Sequence, residues 1–97
     1  MGNTIKIEPE ALKDIQEAII WYNEKQPDLG ASFLQEVKEN FSKLKINPYF
    51  QIRYDNVRCL PLNKFPFMVH FTFSENEKLI IIRAVLNTSI NPDEWKR

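Results

Sequence analysis

The sequence predicts a two-layer α+β domain, ordered β-α-α-β-β-β, with a helical hairpin packed on one face of an antiparallel sheet. Three observations lead there. Apolar residues recur every three or four positions over two stretches, from Leu12 to Tyr22 and from Phe33 to Leu44. From Tyr49 onward the period changes to two, the signature of strands with unlike faces. Only short breaks, Pro27-Asp28 and Asn47-Pro48, separate the helices from each other and from the strands, so adjoining elements must turn back on themselves.

Taken in order, Thr4 to Glu8 alternates, with Ile5 and Ile7 on one side and Lys6 and Glu8 on the other, which predicts a half-buried strand. Pro9 stops that strand and suits the first turn of a helix running to about Lys25. Glu10 and Asp14 complement the positive end of its dipole, and Leu12, Ile15, Ile19 and Tyr22 draw its apolar stripe, with Ala11 and Ala18 beside it. Asp28 is a suitable N-cap for the second helix, whose stripe is Phe33, Val37, Phe41 and Leu44, thickened by Leu34. Asn47-Pro48 ends it. Strands follow at residues 51–54 and 57–62, around a turn at Asp55-Asn56, then at 67–73 and 78–86, around the polar turn Ser74 to Glu77. Phe67, Val69, Phe71 and Phe73 form one apolar face, expected to meet the helices. Met68, His70 and Thr72 form the opposite face, left for solvent or a partner. Residues 91–97 read as a short turn with one aromatic anchor, Trp95.

Composition narrows the classes of function. Ninety-seven residues suit a single domain over 1–97. Thirteen Lys and Arg balance thirteen Asp and Glu, which removes the overall positive excess that bulk nucleic-acid binding uses. The lone Cys59 cannot form an internal disulfide and fits a reducing compartment. The first residues lack the apolar core of a signal peptide, and the longest apolar run, Leu79 to Ile82, is far short of the about 20 residues of a membrane span. The expected location is therefore cytoplasmic, with no membrane partner, no metal site and no cofactor.

Several short motifs occur in a telling order. They are A-L-K-D-I to W-Y (Ala11 to Tyr22), P-D-L-G-A-S-F (Pro27 to Phe33), N-P (Asn47-Pro48), V-R (Val57-Arg58), F-P-F (Phe65 to Phe67) and N-P-D-E-W (Asn91 to Trp95). Together they span nearly the whole chain and resemble the RelE/ParE toxin superfamily. The resemblance implies the toxin of a type II toxin–antitoxin module, of the kind also associated with plasmid stabilisation. It implies either the RelE activity, cleavage of mRNA on the ribosome, or the ParE activity, poisoning of DNA gyrase. It also implies a cognate antitoxin whose extended segment wraps the toxin.

The chain departs from the RelE pattern where charge would be needed. Met68 stands where an arginine is expected. Asn87 and Ile90 stand where a histidine and an arginine precede the terminal Pro92 and Trp95. Asn does not titrate near neutrality and Ile offers a phosphate no donor. The remaining catalytic candidates are His70, Arg83 and Arg58, with Arg83 sharing the parity of Val85 and Asn87 and able to join the open face. Against that cluster stands a bland reading of surface arginines, with Arg58 bracing the sheet through a carboxylate. Trp21-Tyr22 reads as core, Cys59 as a buried inert thiol, and Trp95 as a lid over the sheet edge or a partner anchor.

Charge is uneven along the chain. Residues 1–50 hold six Lys and Arg against eight Asp and Glu, and residues 51–97 hold seven against five. The mildly basic sheet half is expected to receive an acidic antitoxin segment, over Met68, His70, Thr72 and Trp95. The favoured reading is a ParE-like toxin that binds a protein target such as DNA gyrase and is not an enzyme. The alternatives are a RelE-like nuclease with a rearranged site, which alone would need RNA and the ribosome, and a non-toxic remnant that only binds its antitoxin. Free protein is expected to pair weakly as a homodimer through its open face.

Overall fold

The computed structural model describes residues 2–95. β1 (Thr4–Ile7) leads into α1 (Pro9–Lys25) and α2 (Leu29–Ile46). β2 (Ile52–Tyr54), β3 (Val57–Pro61), β4 (Phe67–Ser74) and β5 (Leu79–Asn87) follow, and a single 3-10 turn (Pro92–Glu94) comes last. Both helices lie on one face of a five-stranded sheet ordered β1-β5-β4-β3-β2. The last four strands form the expected antiparallel meander. β1, however, joins β5 in parallel, from Thr4 opposite Leu79 to Ile7 opposite Ile82, so the sheet is mixed. Hydrophobic alternation reads the same in both directions, so Ile5 and Ile7 select a face for β1 but no neighbour and no direction.

The buried face of α1 is centred on Ala11, Ile15, Ala18 and Tyr22. Two alanines in that stripe let the helix lie close to α2 and β5. Leu12, expected to join the stripe, is rotated out to solvent, and so is Trp21. α2 buries Phe33, Val37 and Leu44 as expected. These pack against Val69, Phe71, Ile80, Ile82 and Val85 of the sheet, all essentially inaccessible to water. Phe41 and Phe67 are half-buried at its margin. Tyr22, Phe33, Phe65 and Phe67 form an aromatic cluster with ring centroids 4.9–6.0 Å apart. Such offset and edge contacts add to the stability from buried area alone.

The hairpin between the helices is held by a device outside the usual capping pattern. Asp28 sits in the left-handed region at φ 70° and its side chain caps nothing. Asn23 of α1 does that work instead, its Oδ1 accepting the Gly30 N–H at 2.8 Å. A Cβ on Gly30 would lie 2.6 Å from the Ile19 carbonyl oxygen, so glycine sets how closely the helices approach. Glu36, almost fully buried on α2, accepts the backbone N–H groups of Asn63 and Lys64 and ties the β3–β4 connection to the helical layer. A buried carboxylate is tolerable there because backbone donors replace its lost water.

Phe71 touches the centre of this core and is fully buried. Phe71→Ala should lower the unfolding free energy by about 3–5 kcal/mol, through lost transfer energy and the cavity left behind. Urea unfolding of the variant against the parent measures it.

Candidate functional site

The face of the sheet turned away from the helices carries its own small core. Cys59, Met68 and Trp95 are buried there, with Tyr54, Leu86 and Ile90 packed around them. His70 lies in the middle, wholly inaccessible. Its Nδ1 is 3.0 Å from the Tyr54 hydroxyl and 3.6 Å from Cys59 Sγ. The indole of Trp95 stands edge-on against the imidazole, with centroids 5.0 Å apart at 77°, and tilts over Tyr54 at 5.7 Å. The Arg53 guanidinium covers the other side of the indole at 5.8 Å. Met68 and His70 therefore do not face solvent, because Trp95 comes back from the chain end and closes this face. The lid lies over the face of the sheet and not over its edge.

Next to this core an open trough of about 780 Å³ runs across the same face. Thr72 and Ile81, register partners and both half-exposed, lie on its floor. Glu8 and Glu10 stand on one rim, Asp55 and Asn56 on the other, and Trp95 forms part of the wall. A β-bulge decides what else reaches it. Across β4 and β5, His70 pairs with Ala84 and Phe71 with Ile82, leaving Arg83 as the extra residue. Arg83 keeps the outward facing of Ile81 and enters the trough, where Nε binds Glu8 Oε1 at 2.9 Å, and because of the bulge Ala84 faces outward as well while Val85 turns inward. The bulge has a holder: β1 ends at the level of Ile82, and just beyond, Asp14 of α1 accepts the Val85 N–H at 3.0 Å. Asp14 thus takes a donor on the edge that β1 vacates.

Arg58 differs from expectation in its partner. Its Nη1 donates to the Phe50 carbonyl at 2.9 Å, and its guanidinium lies 5.9 Å over the Phe73 ring. It braces the β2 margin through a backbone oxygen and a ring, not through a carboxylate. The described lining of the trough is not basic. Among the described residues it holds the carboxylates of Glu8, Glu10, Asp55 and Glu77 against the guanidiniums of Arg58 and Arg83. Burial pushes the Cys59 thiol above its ordinary range, the opposite of an activated nucleophile.

The structure thus brings together Tyr54, Cys59, His70, Met68 and Trp95, and places Thr72 and Arg83 in the adjoining trough. The three positions that depart from the RelE pattern all have local structural work. Met68 fills the second core, Ile90 packs against it, and Asn87 Oδ1 accepts the N–H and hydroxyl of Ser89 at 2.9 and 2.7 Å. Sequence reasoning missed Asp14, although it follows Ala11 by three and precedes Ala18 by four, which puts an acid at the border of the buried stripe. It also missed Tyr54 and Arg53, because a second bulge between Ile52 and Tyr54 re-aims the short β2 strand. Among the described residues no three His, Cys, Asp or Glu side chains gather to hold a metal. No described helix is long and apolar enough to cross a membrane.

No family model and no curated protein matches the chain. Solved structures do. A chain of the chromosomal ParDE TA system from P. aeruginosa superposes with a TM-score of 0.78 at 20% identity, covering 88% of this chain and 95% of that one. A double mutant of the E. coli toxin RelE in the free state gives 0.69 at 11% identity, covering 92% and 86%. The toxin–antitoxin complex RelBE2 from Mycobacterium tuberculosis gives 0.62 at 13% identity, covering 90% and 99%. The chain has the fold of the RelE and ParE toxins, as the ordered motifs implied.

The contrast between the two carboxylates at β5 can be tested. Asp14→Ala leaves the Val85 N–H without its partner and should cost about 1–3 kcal/mol in urea unfolding. Glu8→Gln removes an ion pair whose side chains are 41% and 46% exposed, and should change stability by less than about 1 kcal/mol.

The thiol supplies a pH signature. Because the folded Cys59 holds its proton more tightly than the unfolded chain, whose thiol titrates near 9.0, the unfolded state loses protons first as pH rises. Its contribution is whole below that value and fades above it. Tyr49, whose hydroxyl donates to Glu75 Oε1 at 2.7 Å and is raised mainly by that bond, adds a similar trend beyond pH 10.0. The urea midpoint should fall from pH 8 toward pH 10. The early part of that fall should shrink in Cys59→Ala.

Proposed function

We propose that this chain is the toxin of a type II toxin–antitoxin pair, of the ParE-like kind. In this reading it works in the cytoplasm by binding a protein target, the target implied by the resemblance being DNA gyrase, and a cognate antitoxin neutralises it. The partner surface is the trough side of the sheet, with Thr72 on its floor and Trp95 in its wall, and with Met68 and His70 supporting Trp95 from beneath.

The observation that carries this reading is the chemistry of the trough. Cleavage of mRNA demands groups that stabilise phosphate charge and a side chain that moves the proton of the 2′-hydroxyl. Here, among the described residues, the lining carboxylates outnumber the guanidiniums, Arg83 is tied to Glu8, and Arg58 is spent on the Phe50 carbonyl. The chain's single histidine, His70, is sealed beneath Trp95. A surface that recognises protein needs none of those groups. The likeness to a chain of a ParDE system supports the same side. One observation favours the RelE-like alternative, the Tyr54–His70 pair beside a trough that contains Arg83.

Controlled expression separates the readings. Expression alone should arrest growth and induce the DNA-damage response while mRNA stays intact, and co-expression of the adjacent small reading frame should restore growth. Ribosome-dependent mRNA cleavage that disappears in His70→Ala or Arg83→Ala would establish the nuclease instead. Normal growth with antitoxin binding retained would establish the remnant.

A further inference from the structure

We propose that residues 91–95 form a removable strap, and that its single deep anchor, Trp95, controls access from the trough, which Tyr54 already lines, to His70 and Cys59. The proposal rests on the geometry of this face and holds whichever target the protein has. The backbone hydrogen bonds of the strap are all local: Glu94 N–H donates to the Asn91 carbonyl and Trp95 N–H to the Pro92 carbonyl. The Asn91 side chain closes the same turn by accepting the Asp93 N–H. Among the described residues, no hydrogen bond joins 91–95 to a strand or a helix. What holds the strap down is side-chain packing, with Ile90 at its root and the indole at its end.

The anchor itself is imperfect. Trp95 Nε1 is buried and has no hydrogen-bond partner among the described residues, a desolvation loss that the closed state carries and the open state does not. The Arg53 guanidinium lies 5.8 Å over the indole, a weak contact from an exposed residue. The floor under it is different. Cys59, His70 and Ala84 lie side by side on three paired strands, and those ladders do not involve the strap. Lifting Trp95 therefore exposes the cluster without unpairing the sheet, and the opening is local. Opened, His70 and Cys59 become continuous with the trough that Tyr54, Ala84 and Trp95 already line.

Cys59 is the only cysteine, so its alkylation by iodoacetamide, followed by mass spectrometry, reads the opening directly. In the parent protein the labelling rate should stay flat through low urea, because a local opening exposes little surface. Trp95→Ala should label roughly tenfold faster or more, the ratio that about 1.4 kcal/mol of lost anchoring produces. Trp95→Phe should fall between them, and added indole should slow labelling of Trp95→Ala by refilling the seat. In a Trp21→Phe background, Trp95 fluorescence should report the same opening. An unchanged rate in a folded Trp95→Ala overturns the proposal. So does a parent rate that climbs with urea as steeply as global unfolding, a measurement that decides the matter even if the alanine variant does not fold.

Discussion

The Val85 N–H is the donor on which the geometry of this molecule turns. β1 pairs with β5 only as far as Ile82, and beyond it the outer edge of β5 would expose its backbone to the underside of α1. A buried amide without an acceptor is costly, and α1 meets the demand with the Asp14 carboxylate. The bond is made two residues past Arg83, the residue that the bulge leaves out of the ladder. Three consequences follow. α1 is fixed against β5, the faces of β5 on either side of the bulge are kept in step with β4, and the trough holds Arg83 beside Glu8. A surface charge pair could not impose such order, since exposed ion pairs contribute little; the buried amide can.

The second constraint is that this sheet has two hydrophobic faces of unequal size. The larger is covered by both helices. The smaller, with Cys59, Met68 and Ala84, needs cover too, and among the described residues only the 3-10 turn and Trp95 follow β5 and its turn. A single aromatic residue at the end of a short turn supplies it. Trp95 achieves this because an indole combines a large apolar area with few rotatable bonds, and because imidazole and phenol beneath it offer edge contacts. The cost is an indole N–H that is buried without a partner among the described residues. His70 is therefore placed by packing demands, which explains why a titratable residue lies where no substrate reaches it in the closed arrangement.

Electrostatics then separates two chemistries that one fold can host. The helical layer, the sheet and the trough have different charge balances although the whole chain is neutral. A polyanion is attracted by local charge at the groove it enters, not by the average of the half-chain around it. The trough lacks a positive excess in its described lining, while its floor of Thr72 and Ile81 is half-apolar and open. That combination suits contact with protein.

Much of this fold was legible in the chain. The two amphipathic helices, the switch to period two, and the inward set Val69, Phe71 and Ile82 follow from local spacing, which depends only on residues a few positions apart. So did the absence of charged groups at Met68, Asn87 and Ile90. The direction of β1, the bulge at Arg83 and the carbonyl partner of Arg58 were not legible. Each depends on contacts between residues distant in sequence, and a bulge reverses every facing inferred from parity beyond it. The open face read from Met68, His70 and Thr72 met the same limit. Alternation correctly separates those residues from the helices, but only the tertiary structure brings Trp95 across more than twenty residues to bury two of them and leave the third in the trough. By itself the sequence determined which residues share a face; the folded chain decided what covers that face, because cover comes from elements whose arrival no local period records.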